Sequence, residues 1–384
     1  MRLLNLYNTQ PYVAKEIEEA ISNDFLPRSI LFSGPSGSSR LTAAFDLAFY
    51  LTDNSDKRDI LSSSSIIYLP NRNLALQRDA AISLFERQRT QESRLFLVQT
   101  VRAILMQYHP AFIPFSPSSL NGYFASAEEI GNAILDFEDS RDYTEKEIKA
   151  LLKLLKEKMT NQFITRGRKK DTISIDDIRA IQKYFSEGQD EKVVILENLE
   201  DANEGAKNSL LKVLEEPNEH SHIILISSNS QRLLQTILSR VWKFNFPSLS
   251  AKCVSTLLKD RFSLYGSYDS FDAFLYEEGL SEAERKNLVE LSALFSLFLI
   301  EGRSMDKSDQ EKLLYSLDSS SSFKYFRMQV VKRIRENLLS GKIKADHASR
   351  LSSLVNSWSI SSDVYNMSQR VVIDSMIREA QFVK

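Results

Sequence analysis

Residues Gly34-Pro35-Ser36-Gly37-Ser38-Ser39-Arg40-Leu41 lie between a short apolar run, Ser29–Phe32, and an apolar helical stretch from Leu41 to Leu51. A strand, a glycine-containing loop and a helix in that order can cradle phosphates. In the pattern GxxxxGK[ST], backbone N–H groups wrap the anion, the Lys reaches the β/γ-phosphates and the hydroxyl binds Mg²⁺. Here the three diagnostic positions hold Ser39, Arg40 and Leu41. Leu41 has no hydroxyl for a metal. Ser39 is expected to resist the positive φ that glycine permits. Arg40 keeps a charge, as a planar fork rather than a compact ammonium. On this motif alone, an ordinary βα turn remains the competing reading.

A second constellation is Val193-Val-Ile-Leu-Glu197-Asn198. In a Walker B strand, an apolar run precedes an Asp that holds Mg²⁺ and a Glu that activates water. Glu197 and Asn198 occupy those positions, and an Asn cannot act as a general base. The alternative for Glu197 is a strand-end carboxylate with no metal. Among the basic segments, Arg166-Gly-Arg-Lys-Lys170 is the densest. It is a candidate for DNA phosphates, but a solvated loop is the preferred expectation.

The surrounding composition narrows the chemistry. Lys and Arg total 49 against 51 Asp and Glu, so no global basic field holds nucleic acid. One cysteine, Cys253, excludes an intramolecular disulfide and a cysteine-rich zinc site, and fits a reducing compartment. The four histidines show no paired metal-ligand spacing, and His220 and His222 read as a turn or strand start. No metal is expected. The N-terminus lacks a signal-peptide pattern, and the most apolar run, Leu288–Ile300, is short of the ~20 residues that span a bilayer. A soluble, cytoplasmic protein without a membrane partner is expected.

At 384 residues, two or three domains are expected. Val13, Ile17, Ala20 and Ile21 mark an amphipathic helix over 12–22, and Ile66–Leu69 reads as a strand closed by Pro70. Helical patterns fill 76–106, 126–138 and 144–163, with a proline-containing loop at Tyr108–Leu120 and a turn at Asp171–Ser174. Then come a helix Ile175–Phe185, a buried strand Val193–Leu196, a helix Asn203–Glu216 stopped by Pro217, a strand Ile223–Ser227, a short helix Arg232–Ser239 and a strand Trp242–Phe246. Strands alternating with helices over 1–246 predict a parallel sheet covered on both faces. Beyond Pro247 no strand is expected. Ser281-Glu-Ala-Glu284 opens a helix to about Ile300, the serine-rich stretch 318–322 reads as a linker or tight loop, and Phe323, Phe326, Val330, Ile334 and Leu338 recur at helical spacing. Two further helices are expected at 345–358 and 362–381.

The run from Asn208 to Pro217 (NSLLKVLEEP), a strand ending Ser227-Ser-Asn229, and Leu233 to Arg240 (LLQTILSR) together resemble the AAA+ clamp-loader family closely. Leu26 to Pro35 and Ile175 to Arg179 also match. The resemblance covers most of 1–50 and 170–247. It implies an α/β AAA+ domain with a P-loop-type parallel sheet over 1–246, carrying a helical insertion over about 74–168. A small helical lid over 247–305 and a C-terminal all-α collar over 306–384 follow from it.

Within the family, the altered nucleotide positions Gly34, Gly37, Ser39, Arg40, Leu41, Glu197 and Asn198 resemble the delta-prime type of subunit of bacterial DNA polymerase III, which does not hydrolyse ATP. The resemblance implies that Ser239-Arg240 supplies an arginine finger in trans. Ser228 takes the sensor-1 position, or is a plain strand-end serine. No cofactor is implied: ATP binding by this chain is in question, and zinc is absent. The implied partners are other clamp-loader subunits of gamma/tau and delta type, the sliding clamp and, through the complex, primer–template DNA. The alternative is an ATP-hydrolysing motor subunit of gamma/tau type. Three features depart from the family: the missing four-cysteine zinc module, Val241 in place of the usual cysteine, and no GxxR signature beyond 247.

Overall fold

The computed structural model describes residues 4–53, 65–71, 74–139, 143–167, 173–264, 268–302, 305–317, 320–364 and 369–380. The chain forms two compact units, Met1–Asp272 and Ala273–Lys384. In the first, a sheet is built from β1 (Ser29–Ser33), β2 (Ile66–Leu69), β3 (Lys192–Glu197), β4 (Ser221–Ser227) and β5 (Trp242–Asn245). All pairings are parallel and the order is β2-β3-β4-β1-β5.

The central strands are apolar along their length because both faces are covered. Leu31, Ile67, Leu69, Val194, Leu196, Ile223 and Leu225 enter one core. Their neighbours Ile30, Phe32, Ile66, Tyr68, Val193, Ile195, Ile224, Ile226 and Phe244 enter the other. This is the two-residue alternation of an extended chain acting on two buried faces at once. Only β5 departs, burying Phe244 and leaving its other side chains exposed, as an edge strand does.

The helices preceding the insertion are α1 (Leu4–Tyr7), α2 (Pro11–Ser22) and α3 (Arg40–Leu51). Pro11 starts α2, where its missing N–H costs nothing, and Val13, Ala14 and Ile17 turn inward. The insertion contains α4 (Leu74–Gln88), α5 (Gln91–Leu105), α6 (Asn121–Asp139), α7 (Glu145–Lys158) and α8 (Asn161–Ile164). The single helical pattern expected over 76–106 is broken in two. Arg89 adopts φ +53°, and Thr90 caps α5 reciprocally with Ser93. The proline-containing stretch 106–120 is not an open loop but three 3₁₀ turns. These turns carry Met106 into one sheet-face core and Phe112 into the other. The 3₁₀ segment of the insertion is thus packed into both sheet-face cores.

The first unit continues with α9 (Ile175–Ser186), α10 (Glu204–Glu215), α11 (Gln235–Leu238) and α12 (Ala251–Phe262), and α13 (Phe271–Gly279) straddles the division. The helix expected at 232–239 is a 3₁₀ turn, Ser230–Arg232, followed by α11. Ser174 caps α9: Asp177 N–H donates to its Oγ at 3.2 Å and Ser174 N–H donates to Asp177 Oδ2 at 2.9 Å. The rest of the expected turn, Asp171–Thr172, lies outside the described residues.

Arg166 corrects a further expectation. It is not a solvated loop cation. Its Nη1 meets Asp177 Oδ1 at 2.8 Å with both side chains at most 4% exposed, and its guanidinium lies 5.3 Å from the Phe112 ring centre. Residues 168–170 of the same basic run lie outside the described residues.

The second unit is all-helical, with α14 (Glu282–Glu301), α15 (Lys307–Ser316), α16 (Ser320–Leu339), α17 (Ala345–Val364) and α18 (Gln369–Ala380). Ser281 and Glu284 form the expected capping box. Phe295 is the centre, with its ring 5.5 Å from Phe326 and 6.0 Å from Trp358. Of the serine-rich stretch 318–322, the last three residues begin α16, and 318–319 lie outside the described residues. α17 continues past the expected end at 358 to Val364. Among the described residues, no helix is long and apolar enough to cross a membrane.

Candidate functional site

The carboxyl ends of the strands align in one row. Ser33 of β1 pairs with Ser227 of β4 and Asn245 of β5, and Glu197 of β3 pairs with Ile226. The phosphate-loop and Walker B positions therefore emerge at one end of the sheet, where open α/β sheets present their ligand crevice, whereas Ser239 and Arg240 precede β5 and lie at the opposite end of the strands.

The β1–α3 loop is closely held. A Cβ on Gly34 would stand 2.2 Å from Phe246 O, so only glycine fits. Gly34 N–H donates to Ser227 O at 3.1 Å. Ser39 adopts φ +66°, ψ +14°, and so takes the left-handed conformation it was expected to resist. The cost of that conformation in a residue with a Cβ is about 1 kcal/mol or more, met here by the packing around the loop. Gln10 Nε2 donates to Ser38 O at 3.1 Å and to Pro247 O at 2.7 Å, and Ser36 Oγ donates to Asp272 Oδ1 at 3.2 Å. A Cβ on Gly37 would contact Phe271 at 3.5 Å. Ser38 and Arg40 are buried. None of Gln10, Phe271 and Asp272 carried a sequence signal, because each meets the loop from a distant segment.

The strand-end groups are bonded internally. Tyr68 OH donates to Glu197 Oε2 at 2.6 Å, and Glu197 is buried. Asn198 has a left-handed backbone, φ +49° and ψ +50°, and its amide donates to Asn71 O while Asn71 Nδ2 donates to Asn198 O at 3.1 Å. Ser228 lies beside Glu200, whose Oε1 accepts from Ser228 N–H at 2.8 Å, Ser228 Oγ at 2.7 Å and Asn229 N–H at 3.1 Å. Tyr68, Asn71 and Glu200 are the residues that sequence reasoning missed here. Their partners are set by strand order, not spacing.

Ser239 follows α11 and Arg240 precedes β5. Arg240 is paired. Its Nη2 lies 2.7 Å from Glu215 Oε1 at the end of α10, with the two side chains 33% and 48% exposed. Its Nη1 donates to Thr236 O at 2.8 Å and to Ser239 Oγ at 3.2 Å. The guanidinium is thus fixed at the domain surface while still reaching solvent.

These side chains depart from the donor set that holds Mg²⁺ and orients water in a P-loop ATPase. Position 41 offers a methyl-terminated side chain where a hydroxyl oxygen is required. One oxygen of the Glu197 carboxylate accepts from Tyr68, and Asn198 carries no carboxylate. Among the described residues, no group of three or more His, Cys, Asp or Glu side chains is arranged to hold a metal. His220 and His222 instead bracket Glu191 at 3.0 and 3.5 Å, and burial lowers the His222 pKa.

Residues 110–250 match the family model described as DNA polymerase III, delta subunit. Over 84 residues the chain is 38% identical to subunit delta' of DNA polymerase III from Bacillus subtilis, covering 21% of this chain and 26% of that protein. Subunit tau from Bacillus subtilis is 33% identical over 102 residues, or 24% of this chain and 18% of tau. Subunit delta' from Haemophilus influenzae is 36% identical over 81 residues, covering 20% of this chain and 25% of that protein. The matched segments span about a quarter or less of these relatives. A gamma subunit-related protein of Thermotoga maritima aligns over 56% of this chain and 81% of its own, with 19% identity and a TM-score of 0.30.

Proposed function

On the match of residues 110–250 to the DNA polymerase III, delta subunit family, we propose that the chain is a member of the clamp-loader family and a non-hydrolysing subunit of delta-prime type. In this role it helps load the sliding clamp onto primed DNA and donates Arg240, next to Ser239, to the ATP site of a neighbouring subunit. Its partners are clamp-loader subunits of gamma/tau and delta type, with the clamp and primer–template DNA engaged through the assembly. Residues 247–305 serve as a lid and 306–384 as a collar joining subunits.

The observation that carries this reading is the placement of charge. The carboxylate at the Walker B position is bonded inward to Tyr68, while the guanidinium of Arg240 is held at the surface with solvent access. A charge that neutralises a departing γ-phosphate has to leave its own domain, and a planar guanidinium is suited to it. Reconstitution of the assembly with wild type or Arg240→Ala tests this directly. Clamp- and DNA-stimulated hydrolysis should fall about tenfold or more, below the 10³–10⁵ of a sole finger because other subunits supply fingers to other sites. Assembly should be unchanged, and Arg240→Lys should rescue only in part. Equal rates for wild type and Arg240→Ala would reduce the subunit to a scaffold.

The match to tau, together with a phosphate loop whose left-handed Ser39 keeps the required backbone, favours a second reading as an ATP-hydrolysing motor. Turnover by the purified chain alone, lost in Arg40→Ala, would establish that reading instead.

A further inference from the structure

Resting on the reading of Arg240 as a finger, we propose that Glu215 is its positioning residue: a carboxylate that holds the guanidinium aimed outward before a neighbouring ATP site is engaged. Three contacts hold the side chain, and they fall on its two terminal nitrogens. Nη1 is held by Thr236 O and Ser239 Oγ, and Nη2 by Glu215 Oε1. Nε makes no hydrogen bond among the described residues. A guanidinium has five N–H donors. This arrangement therefore holds the fork at its far end and leaves the Nε–H for an incoming phosphate oxygen.

The two anchors differ in kind. Thr236 and Ser239 belong to the same turn as Arg240, so they move with it. Glu215 comes from the last position of α10, which Pro217 stops two residues later, so it references the guanidinium to the helix that packs beside the sheet. An arginine carries a large rotamer entropy, and pre-ordering it before the charge develops removes part of the reorganisation from the reaction step. An exposed pair of this sort contributes little to stability, so its value here is orientation rather than folding. Its loss should appear in kcat and leave the KM for ATP unchanged, because the nucleotide is bound by the other subunit.

The experiment uses the reconstituted clamp-loader assembly carrying this chain as wild type, Glu215→Ala, Glu215→Asp, Arg240→Ala or the double variant Glu215→Ala/Arg240→Ala, and reads stimulated ATP hydrolysis against ATP concentration. Glu215→Ala should lower kcat about fivefold, the scale of a surface ion pair of about 1 kcal/mol, with KM unmoved. Glu215→Asp should recover part of the loss, and Glu215→Ala should add nothing once Arg240 is gone. A loss in Arg240→Ala with none in Glu215→Ala overturns the positioning role alone. An equal Glu215→Ala loss with and without Arg240 also overturns it, because the carboxylate would then act by another route. No loss in Arg240→Ala overturns the finger reading and the positioning role together.

Discussion

Two arginine–carboxylate pairs in the first unit have nearly the same separation and opposite character. Arg166 meets Asp177 at 2.8 Å with both side chains sealed from water, and Arg240 meets Glu215 at 2.7 Å with both substantially exposed. The sequence suggested otherwise for the first of them: Arg166 as a solvated member of a basic run. Distance does not separate the two roles. Solvent access does, because an ion in a low-dielectric interior must stay paired, whereas an exposed one can exchange partners at little cost.

The largest effect expected from this contrast is on folding. Arg166→Ala leaves the Asp177 carboxylate buried beside the Ser174 cap and removes the cation over Phe112, so unfolding free energy should drop by about 3–5 kcal/mol. Denaturant melts monitored by circular dichroism check this. A drop under about 1 kcal/mol would make the two pairs equivalent and erase the comparison.

Tyr68→Phe asks whether the inward bonding of Glu197 belongs with the buried class. It removes the donor to Glu197 Oε2 and should cost about 1–3 kcal/mol in the same melts, with no change in the turnover of the assembly. A turnover change larger than the stability loss explains would give Glu197 a functional part.

His109 sharpens the comparison through pH. It sits at the joint that carries Phe112, where its Nδ1 accepts from Ala111 N–H and burial lowers its pKa to about 4. The unfolded chain binds the proton near pH 6.5 and the folded one does not, so stability is full above that pH. It should be lost progressively as pH falls from about 6.5 to about 4, by about 3 kcal/mol. The pH slope of stability in that window should flatten in His109→Gln relative to wild type. Identical slopes would mean that the joint is wetter than its packing implies.

The smallest stability effect should be at Arg240. Arg240→Ala should change the melting free energy by less than about 1 kcal/mol, in keeping with an exposed pair. A loss approaching that of Arg166→Ala would place it in the structural class and remove the reason to seek its effect in turnover.

Much of the fold was legible before any coordinates. Four of the five strands are visible as apolar runs because sheets covered on both faces admit no polar alternation, and the cap at Ser281 is visible because capping is a local bond between residues three apart. The break at Thr90 was there to be read as a cap followed by Ser93, but the helical periodicity on either side masked it. At the candidate site, Gly34, Ser39, Arg40, Glu197 and Asn198 were found from type and spacing, and Ser228 and Arg240 from the family resemblance. The arrival of all but Arg240 at one end of the sheet follows from their positions at the carboxyl ends of parallel strands.

What each of those side chains bonds was decided only by the tertiary structure. Tyr68 reaches Glu197 across 129 residues because β2 and β3 are adjacent, and Gln10 reaches Pro247 across 237 because both flank the phosphate loop. Burial was decided there too: a run of basic letters predicts solvent, yet Arg166 is enclosed because the 3₁₀ turns at 106–120 bring Phe112 and Ser116 over it. Composition and spacing determine which residues are able to carry charge or apolar surface. Whether a given charge faces water or a partner depends on segments far apart in the chain, and the energy of that choice exists only once they are packed.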